Sequence, residues 1–230
     1  MAGVVTVEMS NNLADFTANG IRFEYRNEVQ LVSLAPTGGP SAGGSLVTVN
    51  GEYLTGGTQT ACRFGNIVVS ASFGSLGVLL CVSPAHDGTG GLRVPIRVST
   101  NGADFSKARM YFTYHEPLVV KRLHPPRGPQ QGRTLVAVHG HGFVHSSSLK
   151  CKFALVEVDA VFVSSTILNC TTPAQSAGAV ALEVSNNAID FSTSNVVFNV
   201  VPAVRVLMLS PPPLTATASS PVAVAPQPSQ

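Results

Sequence analysis

The stretch LAPTGGPSAGGSLVTVNGEYL, residues 34–54, recurs as LHPPRGPQQGRTLVAVHGHGF, residues 123–143. Pro36 and Pro125, Pro40 and Pro129, and Gly51 and Gly140 all stand 89 residues apart. Downstream landmarks keep that register: Cys62 and Cys151, Cys81 and Cys170, and Pro84 and Pro173 are also offset by 89. One offset held from Leu34 to Pro84 marks a tandem repeat of a single structural unit, which has to be read before any local pattern.

The ends of the repeats occur three times, as SNNLADF from Ser10, STNGADF from Ser99 and SNNAIDF from Ser185. Asp15 and Asp104 are 89 apart but Asp104 and Asp190 only 86, so the second full repeat is three residues shorter between Pro173 and Val180, the kind of change that loops absorb. Each copy follows an alternating stretch (Val5, Val7, Met9; Val94, Ile96, Val98; Val180, Leu182, Val184) and precedes an apolar one, the pattern of a hairpin. The chain therefore divides into a last hairpin of one repeat (1–28), two full repeats (29–116 and 117–201), and a remnant strand with a disordered Pro/Ala/Ser-rich tail (202–230). The run VRVLMLSPP from Val204 imitates the opening of a further repeat. Because Met1 falls inside a repeat, the expectation is a fragment, or a truncated gene model, of a longer array.

Within the first full repeat the spacing predicts strands at Val29–Leu34, Leu46–Asn50, Ala61–Phe64, Ile67–Phe73, Val78–Val82, Leu92–Ser99 and Met110–Tyr114. Thr37-Gly38-Gly39-Pro40 and Asp87-Gly88 read as turns, and the whole as an antiparallel sandwich. Leu92, Val94, Ile96 and Val98 read as a core face, with Arg93, Pro95, Arg97 and Ser99 on a wet one. Pro95, which has no N–H for a ladder, suggests an edge strand.

Composition agrees with an all-β reading. Charged residues are only 11%, while Gly and Pro number 21 and 16, which disfavours coiled coils and long amphipathic helices. The net charge is +2, and the fourteen Lys and Arg are scattered singly, with no phosphate-binding stripe in the linear sequence. No apolar run is long enough to span a bilayer, and the start, MAGVVTVEMSNN, lacks the features of a signal peptide.

An opening Pro, a Gly-Pro-x-x-Gly-Gly turn, a Val-x-Val-x-Gly-x-x-Leu/Phe stretch, a Cys-Arg-Phe-Gly strand and a Leu-x-Cys-x-x-Pro strand together resemble the IPT/TIG family. Ala154 replaces Gly65, and Gly132-Arg133-Thr134 replaces Gly43-Gly44-Ser45, in the second copy. The resemblance implies tandem immunoglobulin-like (E-set) β-sandwiches. It also implies disulfides of the kind found in plexin-type members, Cys62 with Cys81 and Cys151 with Cys170. Buried free thiols are the alternative; zinc is disfavoured by the absence of Cys-x-x-Cys spacing. In a secreted chain Asn169-Cys170-Thr171 would be an N-glycosylation sequon, with Asn169 the acceptor.

His139, His141 and His145 form HGHGFVH, where alternation puts the first two on one strand face and a loop could bring the third for zinc or copper; the first repeat has Asn50 and Glu52 there, so a solvated strand end is favoured. Asp15, Asp104 and Asp190 each supply one carboxylate per turn, too few for calcium, and are read as parts of Asx turns with Phe16, Phe105 and Phe191 anchoring the next strand. No Gly-x-Ser-x-Gly, Walker or His-Glu-x-x-His motif occurs, and neither enzyme activity nor a cofactor is expected.

The leading expectation is a non-catalytic, extracellular or cell-surface module, a stalk or adhesion segment of a larger protein. Its partners would be proteins or neighbouring repeats, with membrane contact only through other parts of the parent and no nucleic acid. A nuclear DNA-binding factor, also within the family's range, would use Lys121, Arg122, Arg127 and Arg133, expected to gather near one interdomain junction. An accessory domain of a carbohydrate-active enzyme would need aromatic platforms, yet Trp is absent and aromatics are 7%.

Overall fold

The computed structural model describes residues 2–57, 59–87, 90–107 and 109–202. The imitation of a repeat opening from Val204 and the Pro-rich tail lie outside the described residues.

A hairpin of β1 (Gly3–Thr6) and β2 (Arg22–Tyr25) precedes two sandwiches, with Gly3 paired to Tyr25 and Thr6 to Arg22. The first sandwich comprises β3 (Gln30–Ala35), β4 (Gly38–Pro40), β5 (Leu46–Glu52), β6 (Ala61–Phe64), β7 (Ile67–Ser75), β8 (Val78–Val82), β9 (Leu92–Ser99) and β10 (Met110–His115). Its strand order is β3-β5-β8-β7-β6-β9-β10-β4. The first half of β7 pairs with β6 and the second half with β8, so this one strand turns the corner between the two layers.

The second sandwich repeats the plan with β11 (Val119–His124), β12 (Arg127–Pro129), β13 (Leu135–His141), β14 (Lys150–Phe153), β15 (Val156–Ser164), β16 (Ile167–Thr171), β17 (Gly178–Ser185) and β18 (Val196–Val201). Its order, β11-β13-β16-β15-β14-β17-β18-β12, is identical. The fold is all-β, two tandem immunoglobulin-like sandwiches.

The repeat offset is a packing rule in three dimensions. Val47, Val49, Phe64 and Leu79 are at most 1% exposed, and so are Val136, Val138, Phe153 and Leu168, their counterparts 89 residues on. Past the shortened loop, Ile96, Val98 and Phe112 correspond to Leu182, Val184 and Phe198. Phe64 meets Phe112 edge-to-face at 5.5 Å, and Phe153 meets Phe198 at 5.7 Å, a geometry that adds to the burial of both rings. Tyr114 is one departure, buried where the second sandwich has Val200. Its hydroxyl donates to the Pro84 carbonyl at 3.0 Å, and burial pushes its pKa up to about 12.

Three local readings of the sequence are corrected. Gly38–Pro40 is not only a turn: it pairs in parallel with the end of β10, Pro40 opposite His115, which seals the sandwich side and makes the sheet mixed. Pro95 is not at an edge, because β9 lies between β6 and β10. Its carbonyl accepts from Gly65 N–H at 2.8 Å, so its missing donor would point toward β6 just where that strand has turned away. Ser99 is buried, not wet, its hydroxyl donating to Asn101 Oδ1 at 3.0 Å.

Candidate functional site

The thrice-repeated Asn-x-x-Asp segment builds the same turn each time. Asn12 Oδ1 accepts the N–H groups of Ala14 and Asp15, while its Nδ2 donates to Asp15 Oδ2 at 2.7 Å. Asn101 does the same for Ala103 and Asp104, and Asn187 for Ile189 and Asp190. These are Asx turns in which the amide locks the carboxylate rotamer in advance. The following aromatics do not anchor the core: Phe16 is exposed, Phe105 lies under Arg63, and Phe191 lies under Lys152.

Among the described residues the second turn bridges Gln59 through Asn101 within its own sandwich, whereas the third reaches the preceding sandwich. Ser45 Oγ donates to Asp190 Oδ2 at 2.6 Å, and Asn187 Nδ2 donates to the Gly38 carbonyl at 2.9 Å, so the second sandwich grips the first through two polar bonds. Ser45 is prepared for this. Its N–H donates to Ser83 Oγ at 3.1 Å and its carbonyl accepts from Ser83 N–H at 2.9 Å, which leaves the hydroxyl for the neighbouring domain. Gly39 must be glycine, because a Cβ there would run into Ser45 Oγ and the Phe112 ring.

Beside this clasp lies a cleft of about 250 Å³, lined by Pro40, His115, Glu116, Pro117, Asn187 and Asp190 among others. Burial in it holds the His115 imidazole below its ordinary pKa. Ser45, Gly38 and Asn187 escape a reading of the sequence. The recurrence of Asn and Asp signals the turn at Asn187, and nothing comparable marks Ser45 or Gly38.

In each sandwich one disulfide spans the corner made by the bent strand. Cys62 on β6 joins Cys81 on β8 with Cα atoms 6.3 Å apart, and Cys151 on β14 joins Cys170 on β16 at 6.4 Å. All four cysteines are buried. Asn169, the sequon residue, sits half-buried in mid-strand, opposite Ala137 and Val161.

His139 and His141 share β13, but His139 Nδ1 lies 3.4 Å from Arg122, and His145 packs its ring on Phe162. Among the described residues no group of three or more His, Cys, Asp or Glu could hold a metal. The four cations proposed for DNA are not gathered at the junction. Lys121 and Arg122 stand in the middle of β11, whereas Arg127 and Arg133 belong to the pole away from the first sandwich, where Arg127 pairs with Asn199 and Gln130 N–H reaches the Val201 carbonyl.

The IPT/TIG domain model matches residues 30–114 and 118–200. The chain is 31% identical over 149 residues to Plexin-A2 of Mus musculus and 30% identical over 148 residues to Plexin-A2 of Homo sapiens, covering 62% of this chain and 8% of each relative. The chain thus spans under a tenth of those relatives. Among solved structures, the full extracellular region of Plexin A4 is similar with a TM-score of 0.47 at 18% identity, covering 76% of this chain and 16% of that one. Disulfides persist in oxidising compartments, and with plexin relatives they place the chain on the extracellular or cell-surface side. By its two matched repeats the chain belongs to the IPT/TIG domain family.

Proposed function

We propose that this chain is a non-catalytic spacer and protein-interaction segment of a larger extracellular receptor-like protein, with unit boundaries at 29–116 and 117–201. The observation that supports this most directly is the clasp between Ser45 and Asp190 and between Gly38 and Asn187, which holds consecutive sandwiches in one orientation. A spacer needs that property, and a loosely linked pair of binding modules does not. Outward strand faces and loops are left for partners, as is general for sheet-based recognition. An N-glycan on Asn169 belongs to the same reading, projecting from the face formed by Leu135, Ala137 and Val161.

The test is impermeant biotinylation of intact native-source cells, followed by recovery with an antibody against this segment. Labelling before permeabilisation is the expected result. Labelling only after permeabilisation overturns the proposal. Treatment of the recovered protein with peptide-N-glycosidase checks Asn169, the expected outcome being conversion to Asp.

A further inference from the structure

Cations scattered along the sequence meet on one face of the first sandwich. Alternation along β9 turns Arg93 and Arg97 away from the core residues Val94, Ile96 and Val98, and the β6–β9 ladder sets Arg63 directly opposite Arg97. Arg109 enters the same face at the start of β10. The guanidinium of Arg93 lies 4.1 Å from the centre of the Tyr111 ring, that of Arg109 5.9 Å from the same ring, and that of Arg63 4.5 Å from Phe105.

Among the described residues none of these four arginines forms an ion pair; the acids at the end of the face are engaged elsewhere, Glu24 with Arg26 and Glu28 with Lys107. Asp104, nearby, is held by Asn101.

The second sandwich shows that the scaffold does not need this charge. At the positions of Arg63 and Arg97 it has Lys152 and Glu183, paired in the same register and joined at 2.8 Å. At those of Arg93, Arg109 and Tyr111 it has Ala179, Asn195 and Val197. Like charges directly opposite one another weaken a sheet, so a registered Arg–Arg pair without a counter-ion costs stability that the other repeat avoids. An external anion would remove that cost.

We infer that this face binds a linear sulfated polysaccharide of the glycosaminoglycan type. Guanidinium groups present planar forks that suit sulfate and carboxylate oxygens, and those stacked on Tyr111 and Phe105 are already oriented. Neighbouring strands put Arg63 and Arg97 about 5 Å apart at the backbone, and four residues of β9 separate Arg93 from Arg97 by about 13 Å. Charges strung along one strand suit an extended polymer that carries an anion on each sugar. The choice of a sulfated sugar over other polyanions rests on the extracellular reading, whereas binding itself is measured independently of location.

The experiment is retention of the whole chain on immobilised heparin in a sodium chloride gradient. The test variant is Arg93→Ala with Arg97→Glu, in which Glu at position 97 faces Arg63 as Glu183 faces Lys152, so the fold is kept. The control is Lys121→Glu with Arg122→Ala, which removes the same charge from the second sandwich. Elution of the wild type above physiological salt, at least tenfold weaker heparin affinity in the test variant and less than threefold in the control are expected. No retention at physiological salt, equal losses in both variants, or displacement by poly-aspartate as effective as by heparin at equal charge overturns the inference.

Discussion

Ser45 and Asp190 are 145 residues apart in the chain and 2.6 Å apart in space, hydroxyl on carboxylate, across the boundary between the two sandwiches. The carboxylate is oriented by Asn187, and Ser83 holds the Ser45 main chain in place through its hydroxyl and its N–H. A hydrogen bond to a charged group contributes about 1.5–3 kcal/mol, more than most neutral ones.

Ser45→Ala is expected to remove about 1–2 kcal/mol of coupling between the sandwiches while leaving each core intact. Residual dipolar couplings check this: the two halves should share one alignment tensor in the wild type and report separate ones in the variant. Asp190→Asn should act in the same direction but more weakly, since the amide oxygen still accepts.

Gly39→Ala is expected to cost about 2 kcal/mol, in the range typical of overpacking, because the added methyl meets Phe112 as well as the Ser45 hydroxyl. Urea unfolding followed by far-ultraviolet dichroism gives the number. Unlike Ser45→Ala, this change should lower the stability of the first sandwich itself as well as loosen the junction.

Acid should weaken the fold through His115. Its folded pKa is lowered by burial, so the unfolded chain takes up a proton first as pH falls through about 6.5. The stability contributed by the neutral ring is present above that pH and is lost as pH falls on through the lower folded value. Melting temperatures between pH 7.5 and 5 should therefore drop more steeply in the wild type than in His115→Asn.

Cys62→Ser with Cys81→Ser is expected to destabilise the first sandwich by about 3 kcal/mol, as removal of a bridge closing a loop of this length does in the chain-entropy view. The corresponding change at Cys151 and Cys170 should act on the second sandwich alone. Calorimetry of the two double variants, each showing one lowered transition and one unchanged, checks both statements.

Of the core face read along β9 from alternation, Val94, Ile96 and Val98 are buried, whereas Leu92, at the strand's start, is exposed; the repeat then pairs each buried position with a counterpart, as Val47 with Val136 and Phe64 with Phe153. What escaped depends on distant pairing. Gly38–Pro40 has no alternation and becomes a strand only because β10 runs beside it. Pro95 is tolerated in a central strand because Gly65 turns β6 aside, which no feature around Pro95 announces. Arg93 and Arg97 could be placed on one face from spacing alone, but Arg63 joins them only through the β6–β9 register. The Asn-x-x-Asp turns were readable as turns; that the third reaches Ser45 depends on how two domains meet.

The disulfide across the bent strand bears on tension as well as on stability. If a stalk is pulled from its ends, load enters each sandwich at β3 or β11 and leaves at β10 or β18, and the bridged segment lies between them. The residues between Cys62 and Cys81, a separation of 19, would otherwise release about 65 Å of extended chain, and the bridge withholds it. The second sandwich carries the same shortcut over the same number of residues. An overstretched segment of this kind yields less length than its residue count allows, and it keeps the corner strand as a closed loop from which the sandwich can reform when the load is released.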